Sequence, residues 1–259
     1  MPGDDVRFAV ISDIHGNRWA LEAVLEDADR RSVDALLDLG DSLYGPLDPG
    51  GCAAILGARG VASVCGNQDR IILQPPAADD SQTLRYTRAC LSREQLRRLA
   101  SHPTASSPCD GVFCCHGSPR SDEEYLLEGL SSGGVALRPS EEISACLAGL
   151  GGGLVLCGHS HLPRTVWLDD GRLVVNPGSV GLPAYTEELP VPYAIETGSP
   201  HARYAIVERV AASWRVQHIA VPYDWEAASR TAEGHGRTDW AEWLRTGRAS
   251  NANTAATPR

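Results

Sequence analysis

The chain has 259 residues, which is enough to bury a sizeable core and suits one domain with elaborations. Its formal net charge of -10 argues against strong nucleic-acid binding through a basic face, and no apolar run approaches the roughly 20 residues that a membrane span needs. The first five residues resemble no secretion signal and the eight cysteines are scattered, so we expect reduced thiols and a cytoplasmic location.

The first third of the chain alternates between strand-like and helix-like patterns. Short apolar runs at 8–12, 35–39 and 61–65 predict buried strands, and the stretches 17–31 and 49–56 between them predict helices. This order favours parallel strands joined by right-handed crossovers. Ligands bind beyond the carboxyl ends of such strands, so we expect the functional residues there.

The rest of the chain changes to consecutive strands, which indicates a second sheet packed against the first. We predict a helix at 91–100, within a cap-like insertion at about 74–108 that contains a Pro- and Asp-rich stretch. Strands are predicted at 111–115, 154–157, 165–168, 173–175, 202–207 and 214–221, the last four as two hairpins. We expect one domain over residues 1–247 and a disordered tail over 248–259.

Side chains that bind metals follow five of these predicted strands. In chain order they are Asp13 with His15, Asp41, Asn67, His116, and His159 with His161. A carboxylate can bridge two cations, imidazoles suit manganese, iron, nickel or zinc, and an amide oxygen completes a mixed shell. One such residue alone is more often an ordinary core or turn residue, but seven at successive strand ends indicate a dinuclear metal centre. In an extended strand end, residues two apart such as Asp13 and His15 point the same way.

These motifs resemble those of the calcineurin-like metallophosphoesterase superfamily. The resemblance is carried by SDIHGN at Ser12, GD at Gly40, GNQD at Gly66, HGSP at His116 and GHSH at Gly158, and it runs from about Val6 to Val221. The segments GDSLYGP and NPGSVGLP are similar to signatures of a small bacterial and archaeal phosphodiesterase-like branch. The resemblance implies an α/β fold, a four-layer α/β/β/α sandwich of two mixed sheets.

The resemblance also implies how the candidate ligands divide between two divalent metal ions. Asp13, His15 and His161 match the ligands of one ion. Asn67, His116 and His159 match those of the other, and Asp41 matches the carboxylate that bridges both. We expect manganese first, with iron, nickel and zinc as alternatives, and we expect catalysis to depend most on Asp41, Asn67 and His116.

The chemistry expected at such a centre is in-line displacement at phosphorus by a hydroxide shared between the metals. Asn17 is a candidate substrate contact at a helix start, although capping that helix is an equally good role. Gln68, a second candidate contact, stands where many superfamily members have a histidine that contacts the phosphate or protonates the leaving group. Because glutamine cannot donate a proton, we expect a preference for good leaving groups. Arg120 and Arg164 are weaker candidates for phosphate binding.

Three functions fit this reading. A phosphodiesterase or phosphatase with a small or nucleotide-like substrate is preferred, because the whole ligand set is present. A dinucleoside tetraphosphate hydrolase or protein phosphatase is the alternative, but such relatives usually carry an arginine shortly after the GD motif, and GDSLYGP has none. A non-catalytic protein-binding scaffold is the third candidate. Loss of metal ligands would indicate it. The sequence leaves open the substrate, the metal and the oligomeric state, a homo-oligomer included.

Overall fold

A computed structural model describes residues 6–131, 134–211 and 213–249. Within these ranges the helices are α1 (Arg18–Asp29), α2 (Pro49–Arg59), α3 (Asn67–Leu73), α4 (Gln82–Cys90), α5 (Arg93–Leu99), α6 (Ser140–Cys146), α7 (Trp225–Gly234) and α8 (Thr238–Thr246). The strands are β1 (Arg7–Ile11), β2 (Ala35–Asp38), β3 (Ala62–Ser63), β4 (Ala105–Ser106), β5 (Val112–Cys115), β6 (Glu128–Ser131), β7 (Gly134–Leu137), β8 (Leu154–Leu156), β9 (Arg164–Trp167), β10 (Leu173–Asn176), β11 (Ala184–Glu187), β12 (Tyr193–Glu196), β13 (Ala202–Val210) and β14 (Ser213–Val221).

Two five-stranded mixed sheets form the centre of the molecule. The first has the order β14-β13-β1-β2-β3, and the predicted parallel pairing of β1, β2 and β3 is confirmed. The second has the order β4-β5-β8-β10-β9, in which β5, β8 and β10 are parallel while β4 and β9 are antiparallel edges. The two predicted hairpins, β9–β10 and β13–β14, are also confirmed.

Alternating side chains along the strands explain the layers. In β1, Phe8 and Val10 pack between the sheets with residues such as Leu156, whereas Ala9 and Ile11 face the helices of the first sheet. Helices α1 and α2 cover that outer face, and α6 covers the outer face of the second sheet. The expected four-layer α/β/β/α sandwich is therefore confirmed.

The segment 74–108, predicted as a cap-like insertion, contains α4, α5 and β4. Helices α4 and α5 pack against α2 and α3, and β4 pairs with β5 at the edge of the second sheet. The helix predicted at 91–100 is shorter, because Leu91 ends α4 and Ser92 is the N-cap of α5 through its hydroxyl.

The C-terminal helices α7 and α8 were not predicted. They pack against each other and against the hairpin β11–β12, in a cluster that includes Ala228, Trp240 and Ile195. Of the predicted tail, Ala249 is buried and its amide donates to Glu196 Oε1 at 2.7 Å, while residues 250–259 lie outside the described residues. No helix in the described part of the chain is long and apolar enough to cross a bilayer.

The core between the sheets should tolerate truncation poorly. Leu156 is fully buried there, so Leu156→Ala should lower the free energy of unfolding by about 2–5 kcal/mol through lost burial and a residual cavity. Leu137, which is 46% exposed, is the matched control, and its change to alanine should cost less than about 0.5 kcal/mol. Urea denaturation measures both. Equal losses would contradict this packing.

Candidate metal centre

Backbone hydrogen bonds join the loops that follow β1 and β2. The amide of Asp13 donates to the carbonyl of Gly40 at 2.9 Å, and the amide of His15 donates to that of Asp41 at 3.0 Å. A third loop is added where the amide of Gly181 donates to the carbonyl of Asp13 at 3.0 Å. Motifs that are far apart in sequence therefore meet at the carboxyl ends of the parallel strands.

Most of the candidate ligands have left-handed backbone conformations. Five of the seven non-glycine residues with positive φ in the described chain are Asp13, His15, Asp41, His159 and His161, with φ between 52° and 67°. This conformation costs about 1–2 kcal/mol per residue. Asp13 and His15 thus converge because both turn into the left-handed region, and the extended geometry expected from their spacing is wrong. Such local strain is typical of functional sites.

The amide groups around Asp41 hold its carboxylate in place. The amide of Gln68 donates to Asp41 Oδ1 at 2.8 Å, and the amide of Asp41 donates to Asp69 Oδ2 at 2.8 Å. Asp69 Oδ2 also accepts from the amide of Gly66 at 3.2 Å. A side chain at Gly66 would clash, since a Cβ there would lie 2.1 Å from Asp41 Oδ1. Asp69 therefore positions Asp41 and caps α3.

The first cluster consists of Asp13, His15 and His161, all of them buried. The Nε2 atoms of His15 and His161 are 3.1 Å apart, and Asp13 Oδ1 lies 3.3 Å from His161 Nε2. No donor among the described residues reaches Asp13 Oδ1, although the atom is buried. Three potential ligand atoms thus face one point.

The second cluster consists of Asp41, His116 and His159, with Asn67 beside them. Asp41 Oδ2 lies 3.3 Å from His116 Nε2, and Asn67 Oδ1 lies 3.0 Å from the same nitrogen. The amide of His159 donates to Asp13 Oδ2 at 3.1 Å, which links this cluster to the first. The structure therefore brings together all seven predicted ligands.

Each histidine is anchored through the ring nitrogen that faces away from its cluster. The Nδ1 atoms of His15, His116 and His161 lie 2.7–3.0 Å from the carbonyl oxygens of Tyr44, Leu39 and Leu182, and His159 Nε2 lies 3.1 Å from that of Glu123. Carbonyl oxygens only accept, so these nitrogens carry the hydrogens. In the neutral rings the inner nitrogens are then bare lone pairs, as a metal requires.

The electrostatics of the pair of clusters also favour a cation. Burial lowers the pKa of His15 to about 4, helped by the charge of His161, so the His15 ring is neutral near pH 7. Burial and the charge of His116 lower the pKa of His159 to about 4. Burial opposes charge on His116, but the charge and hydrogen bond of Asp41 outweigh it and raise its pKa to about 10. The Nε2 atoms of His15 and His161 lie 3.1 Å apart, next to Asp13 Oδ1. Together with the second cluster, these nitrogen and oxygen atoms fit a pair of divalent ions.

A cavity opens directly onto both clusters. His15 and His161 of the first cluster and Asn67 and His159 of the second line it, together with the side chain of Gln68. Gln68 therefore lies where a substrate contact is expected.

The other sequence candidates for substrate contact lie elsewhere. The Asn17 side chain is fully buried, accepts from the amide of Ala20 at 3.2 Å and donates to the carbonyl of Gly181 at 2.9 Å. It thus caps α1, the other role open to it. Arg120 donates to the carbonyl of Ala145, and Arg164 forms an ion pair with Glu128 at 2.7 Å. Neither arginine lines the cavity.

The aromatic part of the cavity lining was not predicted from the sequence. Its residues include Tyr125, Tyr185, Trp240 and Trp243. A signal existed in α8, where Trp240, Trp243 and Leu244 have the three- and four-residue spacing of a helix face. Nothing local shows that this face reaches the strand ends.

Divalent ions should stabilise the fold, because binding only to the native state adds to its stability. Excess Mn²⁺ should raise Tm by about 5–10 °C, if it reaches roughly a hundred times its Kd. His161→Ala should lose most of this shift, whereas His218→Ala, an exposed histidine on β14, should keep it. Differential scanning calorimetry measures the effect. An unchanged Tm in excess Mn²⁺ would contradict the proposed centre.

Asp69 should act through its hydrogen bonds and not through its charge. Burial, with the charges of Asp41 and Asp38, raises the pKa of Asp69 to about 8, so the metal-free protein carries it mainly neutral at pH 7. Asp69→Asn should then preserve stability, whereas Asp69→Ala should cost about 1–3 kcal/mol for each orphaned buried amide. Urea denaturation of the metal-free protein compares them, and equal stability of both variants would refute this role.

Comparison with known proteins agrees with this geometry. Residues 6–197 match the model of the calcineurin-like phosphoesterase superfamily domain. An uncharacterised protein of Methanocaldococcus jannaschii is 26% identical over 256 residues, which cover 90% of this chain and 94% of the relative. A metallophosphoesterase from Sphaerobacter thermophilus has a TM-score of 0.74 at 26% identity, over 95% of this chain and all of the other. A hypothetical protein from Pyrococcus horikoshii shares the fold, with a TM-score of 0.72 at 22% identity over the same shares. The chain therefore belongs to the calcineurin-like phosphoesterase superfamily.

Proposed function

We propose that this protein is a phosphodiesterase or phosphatase that works with two divalent metal ions, manganese first among them. The observation that carries the proposal is the pair of clusters, in which imidazole, carboxylate and amide ligand atoms converge and the buried Asp13 Oδ1 has no donor among the described residues. Two ions held there would supply a water of lowered pKa and neutralise the charge on the phosphate. Iron, nickel and zinc suit the same mixed shell of nitrogen and oxygen ligands.

The roles of the residues follow from their positions. Asp13, His15 and His161 would hold one ion, and Asn67, His116 and His159 the other, with Asp41 between them. The backbone amide of Gln68 holds the Asp41 carboxylate and Asp69 holds the Asp41 backbone, so the carboxylate does not have to reorganise when substrate arrives. The outer ring nitrogens, which are Nδ1 in His15, His116 and His161 and Nε2 in His159, bond to backbone carbonyls and would keep the inner nitrogens directed at the ions.

No side chain with a proton to donate occupies the position of Gln68. Its amide side chain borders the cavity and can hydrogen-bond a phosphate oxygen, but it cannot protonate a leaving alkoxide. We therefore propose that esters with good leaving groups react fastest.

The other sequence-derived candidates gain less support. A polyphosphate hydrolase or protein phosphatase would need further cations near the centre, and GDSLYGP supplies none. A scaffold without activity has no need for metal ligands in strained conformations, yet all seven ligands are present and five of them have left-handed backbone. All eight cysteines are free and six are buried, so we also propose a reducing, cytoplasmic location.

An assay of the Mn²⁺-loaded protein tests the function. It should hydrolyse bis(p-nitrophenyl) phosphate or p-nitrophenyl phosphate, and Asp41→Asn and His116→Ala should each lower kcat by at least about a hundredfold. Asp79→Asn, an exposed carboxylate, and His218→Ala are the matched controls and should keep full turnover. Full turnover by the Asp41 and His116 variants would show that the catalytic assignment is wrong. Absence of turnover together with absence of Mn²⁺ binding would favour the scaffold.

A further inference from the structure

The cavity at the candidate metal centre is lined by two unlike groups of residues. One group consists of the candidate ligands, and the other is aromatic and apolar. The aromatic wall consists of Tyr44, Tyr125, Leu182, Tyr185, Trp240 and Trp243. The cavity has a volume of about 200 Å³ and adjoins a second cavity of about 520 Å³, so a ring system has room beside the phosphate.

The wall is fixed by its contacts with the candidate ligands. The edge of Trp240 meets the ring of His15 at a centroid distance of 5.9 Å and an interplanar angle of 83°. The ring of Tyr185 lies 4.7 Å from that of His161. The ring of Tyr125 lies 4.6 Å from that of His159, and its hydroxyl is 2.6 Å from that of Tyr185. An incoming ring would therefore meet a surface that is already in place, which lowers the entropy cost of binding.

The charges around the cavity argue against a second phosphate. Arg237 is the one cationic residue of the described chain that lines it, and its guanidinium forms two hydrogen bonds with Asp239, at 2.8 and 2.6 Å. The adjoining cavity shares Tyr125 and His159 with the first. Its one cation in the described chain is Arg138, which lies 3.4 Å from Glu124.

Carboxylates outnumber cations along the two cavities. The lining glutamates are Glu123, Glu124, Glu128 and Glu187. Both lining arginines already have a carboxylate partner, so neither is free to neutralise another phosphate. Three of these glutamates also have arginine partners: Glu123 pairs with Arg70, Glu124 with Arg138 and Glu128 with Arg164. A polyphosphate chain would therefore find no unpaired arginine among the lining residues of the described chain, whereas a single phosphate needs none beyond the metal centre.

We infer that the substrate is a phosphodiester with a single phosphate and a planar aromatic or heterocyclic alcohol that packs against this wall. The inference rests on the proposed phosphoesterase function and narrows its substrate. Trp240 and Trp243 belong to α8, which lies beyond the residues 6–197 matched by the family model. Aromatic pairs of this kind add to the binding that apolar burial alone gives.

Binding without hydrolysis gives the first test. Diphenylphosphinate and dimethylphosphinate both carry one negative charge and have no ester bond to hydrolyse. Titration calorimetry with the Mn²⁺-loaded protein should show diphenylphosphinate bound at least about tenfold more tightly. Trp243→Leu should reduce this ratio toward one, and Tyr44→Leu should reduce it as well. Trp167→Leu is the control, because Trp167 is 59% exposed on β9 and lines neither cavity.

The variant Tyr44→Leu still tests the inference if Trp243→Leu fails to fold. Its ring is only partly buried, and the contact with His15 is made by its backbone carbonyl, which the substitution keeps. Equal affinity for the two phosphinates, or a ratio that neither the Trp243 nor the Tyr44 variant changes, would overturn the inference.

Kinetics with a constant leaving group give the second test. The kcat/KM of p-nitrophenyl phenyl phosphate should exceed that of p-nitrophenyl methyl phosphate. The ratio of the two values should fall in Trp243→Leu and stay unchanged in Trp167→Leu.

Faster hydrolysis of diadenosine tetraphosphate than of thymidine 5′-p-nitrophenyl phosphate would overturn the single-phosphate assignment. If both p-nitrophenyl esters are hydrolysed but the wall variants leave the ratio of their kcat/KM values unchanged, the aromatic inference is overturned and the phosphoesterase function stands. Absence of all hydrolysis, with the phosphinate preference retained, would overturn the phosphoesterase function and leave the aromatic subsite.

Discussion

Lone pairs of buried imidazoles and carboxylates repel one another unless a positive charge lies between them, and the whole centre is organised around that repulsion. The Nε2 atoms of His15 and His161 face each other at 3.1 Å, and backbone carbonyls accept from their outer nitrogens. The unpartnered Oδ1 of Asp13 lies at the same point. In the absence of a cation these groups would destabilise the fold, so stability and metal binding are coupled.

The packing of the sandwich stabilises the strained backbone of the candidate ligands. Ligands such as Asp13 and Asp41 keep left-handed backbone only because the strands before them are buried and their loops share backbone hydrogen bonds. Asp69 adds a further constraint, since one carboxylate oxygen accepts from two amides beside Asp41. Strain at the site is thus opposed by packing throughout two sheets and not by local contacts alone.

Sequence reasoning predicted the two sheets and the set of metal-binding residues, because both depend on local patterns. The candidate ligands follow apolar runs, and five of the seven stand next to a glycine, as Asp41 and His116 do. The left-handed φ of Asp13 and His15 was missed, since spacing alone cannot distinguish an extended strand end from a tight turn. The role of Asn17 stayed open because its partner Gly181 is 164 residues away. The aromatic wall was missed for the same reason, as it depends on where α8 packs.

The residues of the aromatic wall differ in whether their side chains contact a candidate ligand. Trp240 touches the ring of His15, and Tyr125 touches that of His159, so altering either would also disturb a candidate ligand. Trp243 contacts Trp240 but no candidate ligand ring, and Tyr44 supports His15 only through its backbone carbonyl. Substitutions at these last two positions can reshape the cavity while the histidines keep their anchors. The aromatic lining of the cavity can therefore change independently of the candidate metal centre.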